Sequence, residues 1–348
     1  MKKFNVGIIG YGWAATAHIG AINAGSLARV GAVYSSRPLD AAELSRKHGG
    51  EIKAYTSVKS MLADPEIDVI GITSYPWEHA EQIIAAAKAG KHIIAEKPLV
   101  LSLKDLRRVE QAIRAAKVGF TVCFECRFAG HFLTVKSVID RGLLGKLHYG
   151  EVDYYHGIGP WYGQYRWNTS KKGGGSSLLT AGCHALDALL LCMGGEVEEV
   201  TSYDTQSANQ VFQKYEYPTT SVTILKFKGG AVGKCAAVVD CFQPYYFHTH
   251  LVGSEGSLLD NKFHSNQLAA LNKQHWSELS MKLVDSGDVA DHPYQTQFDA
   301  FFAALAEGRE MPLTGLKEAV STHEVIFAAD RSAATGKPVK LSQIRKGR

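Results

Sequence analysis

Two side chains that can exchange protons stand in distinctive local sequences. Lys97 lies between Glu96 and Pro98, directly after the apolar run 92–95. His184 lies in an apolar stretch of helical composition that follows three glycines. An imidazole has a reference pKa close to neutral pH, and a lysine can take part in the same chemistry where a nearby positive charge lowers its pKa. Both residues are therefore candidates for general acid/base catalysis.

A glycine-rich turn near the N-terminus has the pattern of a dinucleotide-binding site. Residues 10–15, GYGWAA, match G-x-G-x-x-A and stand between an apolar run and a helical stretch, which is the context that gives the motif meaning. Gly10 permits a tight turn, Gly12 lets a pyrophosphate approach the backbone, and Ala15 allows the helix to pack closely on the strand. Trp13 occupies the start of that helix, whose free N–H groups attract anions. The alternative, a glycine-rich turn without a ligand, is disfavoured by the strand–helix alternation that follows.

The residues after the second apolar run bear on the choice between NAD and NADP. An NAD-specific site usually places Asp or Glu here, where the carboxylate holds the ribose 2′-hydroxyl. This chain instead has Ser35, Ser36 and Arg37, whose hydroxyls and guanidinium can bind a 2′-phosphate. The sequence therefore favours NADP, with NAD as the alternative if Arg37 is only a solvated loop residue. A bound nicotinamide would carry the hydride, and its positive charge would favour the neutral amine of Lys97.

Composition and charge exclude several classes of protein. Of the 348 residues, 45% are hydrophobic and 21% are charged, which is ordinary for a globular chain of about two domains. This balance excludes a disordered, collagen-like or disulfide-scaffold protein. The net charge is only +4, so we expect no nucleic-acid partner. The apolar stretch 173–195 contains His184 and Asp187, so we expect no membrane span.

The cysteines indicate a reducing compartment. There are six in the chain, a low density. Cys123 and Cys126 form a single C-x-x-C pair without a second pair of ligands. We therefore expect reduced thiols, a cytoplasmic location and no metal site.

The first 120 residues alternate between strand and helix patterns. Short apolar or β-branched runs alternate with stretches of helical spacing, which predicts βαβ units in a doubly wound parallel sheet of the Rossmann type. The predicted strands are 4–9, 29–34, 68–73, 92–95 and 119–124, and the predicted helices include 16–24, 77–87 and 105–116.

The remainder of the chain has a different pattern. Strand-like runs follow one another without comparable helices between them, and two helical stretches close the chain, which predicts an α+β domain on a large, mostly antiparallel sheet. We expect an NAD(P)-binding domain over 1–122 and a substrate-binding and oligomerisation domain over 123–348. His248 and His250 share one face of a predicted strand, where they either reach the substrate or serve the sheet itself. The predicted strands are 147–155, 197–203, 221–227, 231–239 and 247–252.

Several ordered motifs resemble one family over nearly the whole chain. They are AGKHIIAEKP at 89–98, YPWEH at 75–79, and GGG at 173–175 followed by HALD at 184–187. Together they resemble the Gfo/Idh/MocA oxidoreductases, named for glucose–fructose oxidoreductase and inositol dehydrogenase. The resemblance implies a Rossmann domain followed by a larger domain on a mostly antiparallel sheet. It also implies a homodimer or homotetramer formed through the open face of that sheet.

The resemblance further implies an activity and a set of site residues. The activity is hydride transfer between NAD(P) and a secondary hydroxyl or ketone of a sugar, cyclitol or glycoside. Lys97 and His184 would then handle the proton, with Lys97 in contact with the reacting oxygen. Tyr75, His79 and Glu96 join Lys97 on the cofactor side. Candidate substrate-binding residues are Arg127, Trp167, Thr180, His184 and Asp187.

Thr180 departs from the family pattern. Many sugar and inositol dehydrogenases of the family have Asp four residues before the histidine, and this chain has Thr180 there. One helical turn separates the two positions, so Thr180 can face the substrate and form a hydrogen bond, but it carries no charge. Asp187, one turn later, either orients His184 or a substrate hydroxyl, or only fixes the helix. Trp167 covers the nicotinamide or a sugar face, or belongs to the core.

Two other functions remain open. The first is a glycosidase that retains its cofactor, oxidises a sugar carbon transiently and cleaves the glycosidic bond by elimination. The second is a non-enzymatic regulator that senses a dinucleotide. Sustained turnover of added cofactor distinguishes a dehydrogenase from both.

Overall fold

The protein divides into two compact units. The computed structural model describes residues 3–288 and 291–346. One unit comprises the described residues of Met1–Glu125 and Asp288–Val320, and the other those of Cys126–Gly287 and Ser321–Arg348. The sequence analysis assigned everything after residue 122 to the second domain, whereas the described residues of 288–320 pack with the first unit. Nothing in the local sequence of 288–320 signals this return.

A six-stranded parallel sheet forms the centre of the first unit. Its strand order is β3-β2-β1-β4-β5-β6, and each neighbouring pair is parallel. The order reverses between β1 and β4, which creates the crevice at the carboxyl ends of the strands where doubly wound sheets bind ligands. The predicted Rossmann-type sheet is confirmed. The strands are β1 (Phe4–Ile9), β2 (Ala28–Tyr34), β3 (Lys53–Tyr55), β4 (Val69–Ile72), β5 (His92–Ala95) and β6 (Phe120–Val122).

Helices join these strands and continue through the second unit. Side-chain caps fix several of their starts: Asp40, Ser57 and Ser102 each accept hydrogen bonds from backbone N–H groups of the first turn that follows. The helices are α1 (Trp13–Ala24), α2 (Ala41–His48), α3 (Val58–Ala63), α4 (His79–Lys88), α5 (Leu103–Ala116), α6 (Gly130–Asp140), α7 (Tyr165–Asn168), α8 (Lys171–Gly174), α9 (Cys183–Met193), α10 (Tyr294–Ala306), α11 (Leu316–Thr335) and α12 (Leu341–Arg345).

The returning segment completes the core of the first unit. Helix α10 packs on α1, and its Phe298, Phe301 and Phe302 are at most 2% exposed. The ring of Phe302 stacks on Phe4 of β1, with 5.8 Å between centroids. These aromatic contacts explain why 288–320 belongs to this unit.

A nine-stranded sheet forms the centre of the second unit. The strand order is β14-β13-β12-β11-β7-β10-β9-β8-β15. Among the described strands of this sheet, β7 and β10 pair in parallel and the other neighbouring strands pair antiparallel, which confirms the predicted sheet type. The strands are β7 (Leu147–Tyr155), β8 (Val197–Thr205), β9 (Thr220–Phe227), β10 (Val232–Val238), β11 (Tyr246–Gly253), β12 (Gly256–Leu259), β13 (Lys262–Ser265), β14 (Ser277–Glu278) and β15 (Val339–Lys340).

The two faces of this sheet differ. On one face α9 packs so closely on β7 that a Cβ at Gly150 would lie 2.3 Å from the sulfur of Met193. Side chains alternate between faces along a strand, so Glu151 points to the opposite face. Tyr203 and Val222, which pair across β8 and β9, are 70% and 37% exposed. We call this second face, which α9 does not cover, the polar face of the sheet.

One helical stretch of the second unit is long and unusually apolar. Lys171–Met193 is long and apolar enough to cross a membrane by those two criteria alone, but 78% of its most apolar window is buried inside the protein. The length and apolar composition of this stretch are therefore those of a core helix that packs on the sheet.

Candidate active site

The glycine-rich turn joins β1 to α1 as a dinucleotide site requires. Gly10 has φ +97°, and a Cβ there would lie 2.7 Å from the backbone nitrogen of Ser74, so only glycine fits. A Cβ at Gly12 would meet nothing within 4 Å, so the space beside this backbone is open. Gly12 precedes α1 without a side-chain cap, which leaves N–H groups for an anion. Ala15 is fully buried, as close helix–strand packing demands.

Basic side chains surround this turn. Arg37 donates from Nη2 to the carbonyl oxygen of Tyr11 at 3.1 Å, and its backbone N–H donates to Ser35 Oγ at 3.3 Å. The hydroxyl of Tyr11 pairs with Nε2 of His48 at 2.7 Å, and Lys47 Nζ lies 5.5 Å from the centre of the Tyr11 ring. Sequence reasoning missed Lys47 and His48, since they end α2 and no motif marks them.

Glu96 anchors the segment that carries Lys97. Its Oε1 accepts hydrogen bonds from His18 Nε2 and Tyr294 Oη, each at 2.8 Å. Its Oε2 accepts the backbone N–H of Lys97 at 3.0 Å. Burial raises the pKa of Glu96, but the hydrogen bond and charge of His18, the charge of Lys97 and the hydrogen bond from Tyr294 outweigh burial and hold it at about 2. The carboxylate is therefore ionised and fixes the position of the half-buried Lys97.

The loop after β4 supports the same segment. His79 is 1% exposed, and its ring nitrogens face the carbonyl oxygens of Pro98, at 2.9 Å, and Ser74, at 3.2 Å. Burial lowers the pKa of His79. The place of His79 on the cofactor side stays a prediction, and in the structure its imidazole is engaged with the backbone. Tyr75 and Trp77 stack face to face beside it, with 4.5 Å between centroids and 7° between planes.

A histidine that the sequence analysis did not single out lies near Lys97. His292 Nδ1 is 3.3 Å from Oε1 of the buried Glu125. Burial and the positive charge of Lys97 lower the pKa of His292 to about 4, so its imidazole is neutral at pH 7. His292 follows Lys97 by nearly 200 residues, and no local pattern could have revealed the proximity.

The second unit holds His184 at the start of α9. Directly before it, Leu178–Gly182 forms one π-helical turn, so the expected α-helical spacing between Thr180 and His184 is not present. The Thr180 hydroxyl donates to Oδ1 of Asn168, and the Tyr217 hydroxyl donates to the Asn168 carbonyl at 2.7 Å. Thr180 thus belongs to a buried polar cluster whose other members the sequence analysis missed.

Arg127 and Asp187 bind each other. Arg127 donates from Nε to Oδ2 of Asp187 at 2.6 Å and from Nη2 to Oδ1 at 2.8 Å. Thr322 Oγ1 donates to the same carboxylate at 2.7 Å, and Asp187 is 1% exposed. Of the roles considered for Asp187, this geometry supports fixing the helix. Trp167, in α7, is half-buried.

Comparison with known sequences decides the family. Residues 4–124 match the oxidoreductase family with an NAD-binding Rossmann fold, and residues 132–259 match the GFO/IDH/MocA C-terminal domain. The chain belongs to the Gfo/Idh/MocA family. The resemblance inferred from the motifs is thereby confirmed, and the chain is an NAD-binding oxidoreductase. The uncapped α1 and the open space at Gly12 fit such a cofactor.

Individual Gfo/Idh/MocA relatives are similar over most of the chain. Myo-inositol 2-dehydrogenase of Thermotoga maritima is 28% identical over 269 residues, 77% of this chain and 78% of that one. The scyllo-inositol 2-dehydrogenase (NAD(+)) of Bacillus subtilis is 28% identical over 288 residues, 81% of this chain and 80% of that one. A solved levoglucosan dehydrogenase in complex with NADH and levoglucosan superposes with a TM-score of 0.85 at 23% identity, covering 98% of this chain and all of that one.

Glu96→Gln tests the anchor of the Lys97 segment. The Glu96 pKa falls from 4.5 to about 2 on folding, which corresponds to about 3 kcal/mol of stability at neutral pH. This contribution is fully present above pH 4.5 and is lost as the pH falls through about 2. We expect Glu96→Gln to be less stable at pH 7 and to lose less further stability between pH 5 and pH 3 than the native protein. Denaturant unfolding at several pH values measures both.

The exposed Glu43→Gln is the matched control for that experiment and should follow the native pH dependence. Equal pH dependence of the native protein and Glu96→Gln would contradict the assigned role of the carboxylate.

Thr180→Val tests the hydroxyl in the polar cluster. The substitution leaves the buried Asn168 oxygen without this donor and should lower the free energy of unfolding by about 1–3 kcal/mol, whereas Thr180→Ser should retain most of it. Unfolding and steady-state kinetics are measured together. A loss of kcat/KM far beyond 1000-fold, with stability unchanged, would instead give Thr180 a direct chemical role.

Proposed function

We propose that the protein is an NAD(P)-dependent dehydrogenase or ketoreductase acting on a secondary hydroxyl or ketone of a sugar, cyclitol or glycoside. The observation that carries this proposal is the placement of Lys97 at the carboxyl end of β5, fixed by the ionised Glu96, in a chain of this family. The names of its relatives support the substrate class: they include two inositol dehydrogenases and a 1,5-anhydro-D-fructose reductase of Ensifer adhaerens.

Lys97 and His184 carry the proton transfer in this proposal. A bound nicotinamide supplies hydride acceptance and donation. The substrate hydroxyl must lose its proton as the hydride leaves carbon, and Lys97 Nζ and the imidazole of His184 are the groups assigned to accept it. Glu96 acts on this step only by fixing Lys97. Burial and the positive charge of Lys97 keep the imidazole of His292 neutral at pH 7.

Cofactor turnover is the first test of this function. With NAD(P) and a panel of inositols, anhydrosugars and glycosides, we expect sustained production of reduced cofactor at 340 nm with at least one substrate. Lys97→Met should lower kcat by about 10²–10⁴-fold, because one acid/base group is removed, while cofactor binding measured by fluorescence persists. Lys104→Met, which replaces an exposed lysine of α5, should leave kcat unchanged.

Other outcomes of this assay point to other functions. Reduction that stops after one turnover, together with glycoside cleavage, would indicate the cofactor-retaining glycosidase. Cofactor binding without any reaction, and Lys97→Met without effect in cells, would indicate a regulator.

We further infer a preference for NADP. The support is the position of the Arg37 guanidinium over the Tyr11 carbonyl, together with the absence of an acidic residue among 35–37. Lys47 adds positive charge beside the same tyrosine.

Arg37→Ala should raise the KM for NADP about 10–100-fold, the cost of one charge-assisted hydrogen bond to phosphate, and should change the KM for NAD little. The exposed Arg46→Ala of α2 is the matched control and should change neither. An equal rise of both KM values, or a native preference for NAD, would contradict the inference.

We also propose that copies of the chain associate through the polar face of the nine-stranded sheet into a homodimer or homotetramer. Val222 and Ile224 alternate with polar residues along β9 and are 37% and 39% exposed. With the neighbouring Tyr203 they provide apolar surface for a partner copy.

A further inference from the structure

Two histidines and a glutamate meet on the polar face of the nine-stranded sheet. His248 and His250 stand two residues apart on β11 and therefore point to the same face. Glu151 of β7 lies directly opposite His250, and Asp153 lies opposite His248. The strand register, fixed by backbone hydrogen bonds, thus places these side chains together on a rigid scaffold.

The distances among the three side chains suit one bound ion. Their nearest ligand atoms all lie within 4.8 Å of one another, and His248 Nε2 is 3.9 Å from Glu151 Oε2. Tetrahedral zinc with bonds of about 2.0–2.2 Å separates its ligand atoms by roughly 3.4 Å. The separations of the ligand atoms therefore exceed the zinc spacing by at most about 1.4 Å. In the single chain the side chains of His248 and Glu151 are 22% and 16% exposed, so an ion can reach them before copies associate.

The outer contacts of His248 orient its ring. Nδ1 lies 3.4 Å from Asp260 Oδ1 and 3.2 Å from the Tyr246 hydroxyl. The same hydroxyl donates to Asp260 Oδ2 at 2.7 Å. A carboxylate on one ring nitrogen fixes the imidazole so that the other can bind a metal, as in most histidine metal sites. Here that second nitrogen is the Nε2 that faces Glu151.

Glu151 is an ionised ligand whose oxygens have lone pairs that no hydrogen bond uses. Its Oε1 accepts from Lys234 at 2.6 Å and its Oε2 from the Tyr149 hydroxyl at 2.7 Å. Each carboxylate oxygen has a second lone pair, so Oε2 can bind an ion while Tyr149 still donates.

The charges around the histidines favour a cation. Lys234 also binds Asp153, at 2.6 Å, so a single ammonium serves two carboxylates. Asp260 adds a third carboxylate beside His248. Carboxylates therefore outnumber ammonium groups around the two imidazoles, and a divalent cation would reduce the imbalance.

We propose that Glu151, His248 and His250 bind one divalent transition-metal ion, with Zn²⁺ as the expected ion, which links β7 to β11. Two imidazoles and a carboxylate form a typical donor set for zinc, with the fourth position left to water. The sequence analysis expected no metal because the cysteine pair lacks a second pair of ligands and no metal-binding motif occurs; it did not combine the two histidines with Glu151. The proposed site shares no residue with the proposed dehydrogenase function, and either can fail without the other.

Metal titration of the full chain tests this proposal. The protein, freed of any histidine tag and treated with chelator, is titrated with Zn²⁺ by calorimetry and with Co²⁺ by visible absorption. The titration is run at pH 8, where protons compete less with the metal for its ligands. We expect one ion per chain, a cobalt spectrum of a four-coordinate site, and a higher melting temperature with zinc.

Variants locate the ion. His250→Gln and Glu151→Gln should each weaken binding at least 100-fold, and Asp260→Asn should weaken it about 10–100-fold through the ring of His248. His264→Gln is the matched control, since His264 pairs with Ser257, which pairs with Val252 on the same face; it should bind like the native protein.

The proposal is overturned if the native protein binds no zinc below 100 μM, or if Glu151→Gln and His264→Gln bind alike. Circular dichroism checks that each variant folds. If His250→Gln does not fold, Glu151→Gln and His248→Gln decide the question.

Discussion

The buried carboxylate of Glu96 is the interaction on which the first unit depends. A charge so deeply buried is tolerated only when it is paired and hydrogen-bonded. Two of its partners come from distant parts of the chain, His18 of α1 and Tyr294 of α10, and the third is the backbone N–H of the adjacent Lys97. One side chain therefore holds together the helix of the glycine-rich turn, the lysine segment and the segment that returns to this unit. The hydrogen bonds and charges of these partners offset the cost of burying the carboxylate, and they fix the three elements in one arrangement.

A second buried pair performs the corresponding task in the other unit. Arg127 and Asp187 form two hydrogen bonds, and Thr322 of α11 adds a third. Removing either charge would leave the other buried without its partner, which typically costs about 3–5 kcal/mol. His184 stands one helical turn before Asp187 in α9, so this pair also fixes the histidine. Arg127 and Asp187, which the sequence analysis offered as substrate ligands, thus position α9, the helix that carries the proposed catalytic group His184.

Because side chains alternate along each strand, the two faces of the large sheet carry different residues and can have different functions. The same two-residue period that places Gly150 against α9 places Glu151 on the polar face. The face that α9 covers requires a small residue where the helix and the strand approach most closely. The polar face has no such constraint, so charged and aromatic residues can occupy it. The proposed metal site and the proposed association surface both follow from this separation.

The sequence by itself determined the local features of the protein. The glycine-rich turn, the strand–helix alternation, the change to a mostly antiparallel sheet and the motifs around Lys97 and His184 depend on neighbouring residues, and periodicity and turn chemistry expose them. Strand ends matched within two residues at β1, β5, β7 and β11.

The partners of those features were decided only by the tertiary structure. Tyr294 donates a hydrogen bond to a carboxylate 198 residues away, and Lys47 and His48 approach Tyr11 from the end of α2. Asn168 accepts a hydrogen bond from Thr180, which lies in a π-helical turn that no propensity marks. Such contacts depend on where the chain returns in space. A single sequence carries no local signal of that return, because burial and ion pairing are satisfied by any residue of the right chemistry that the fold brings close.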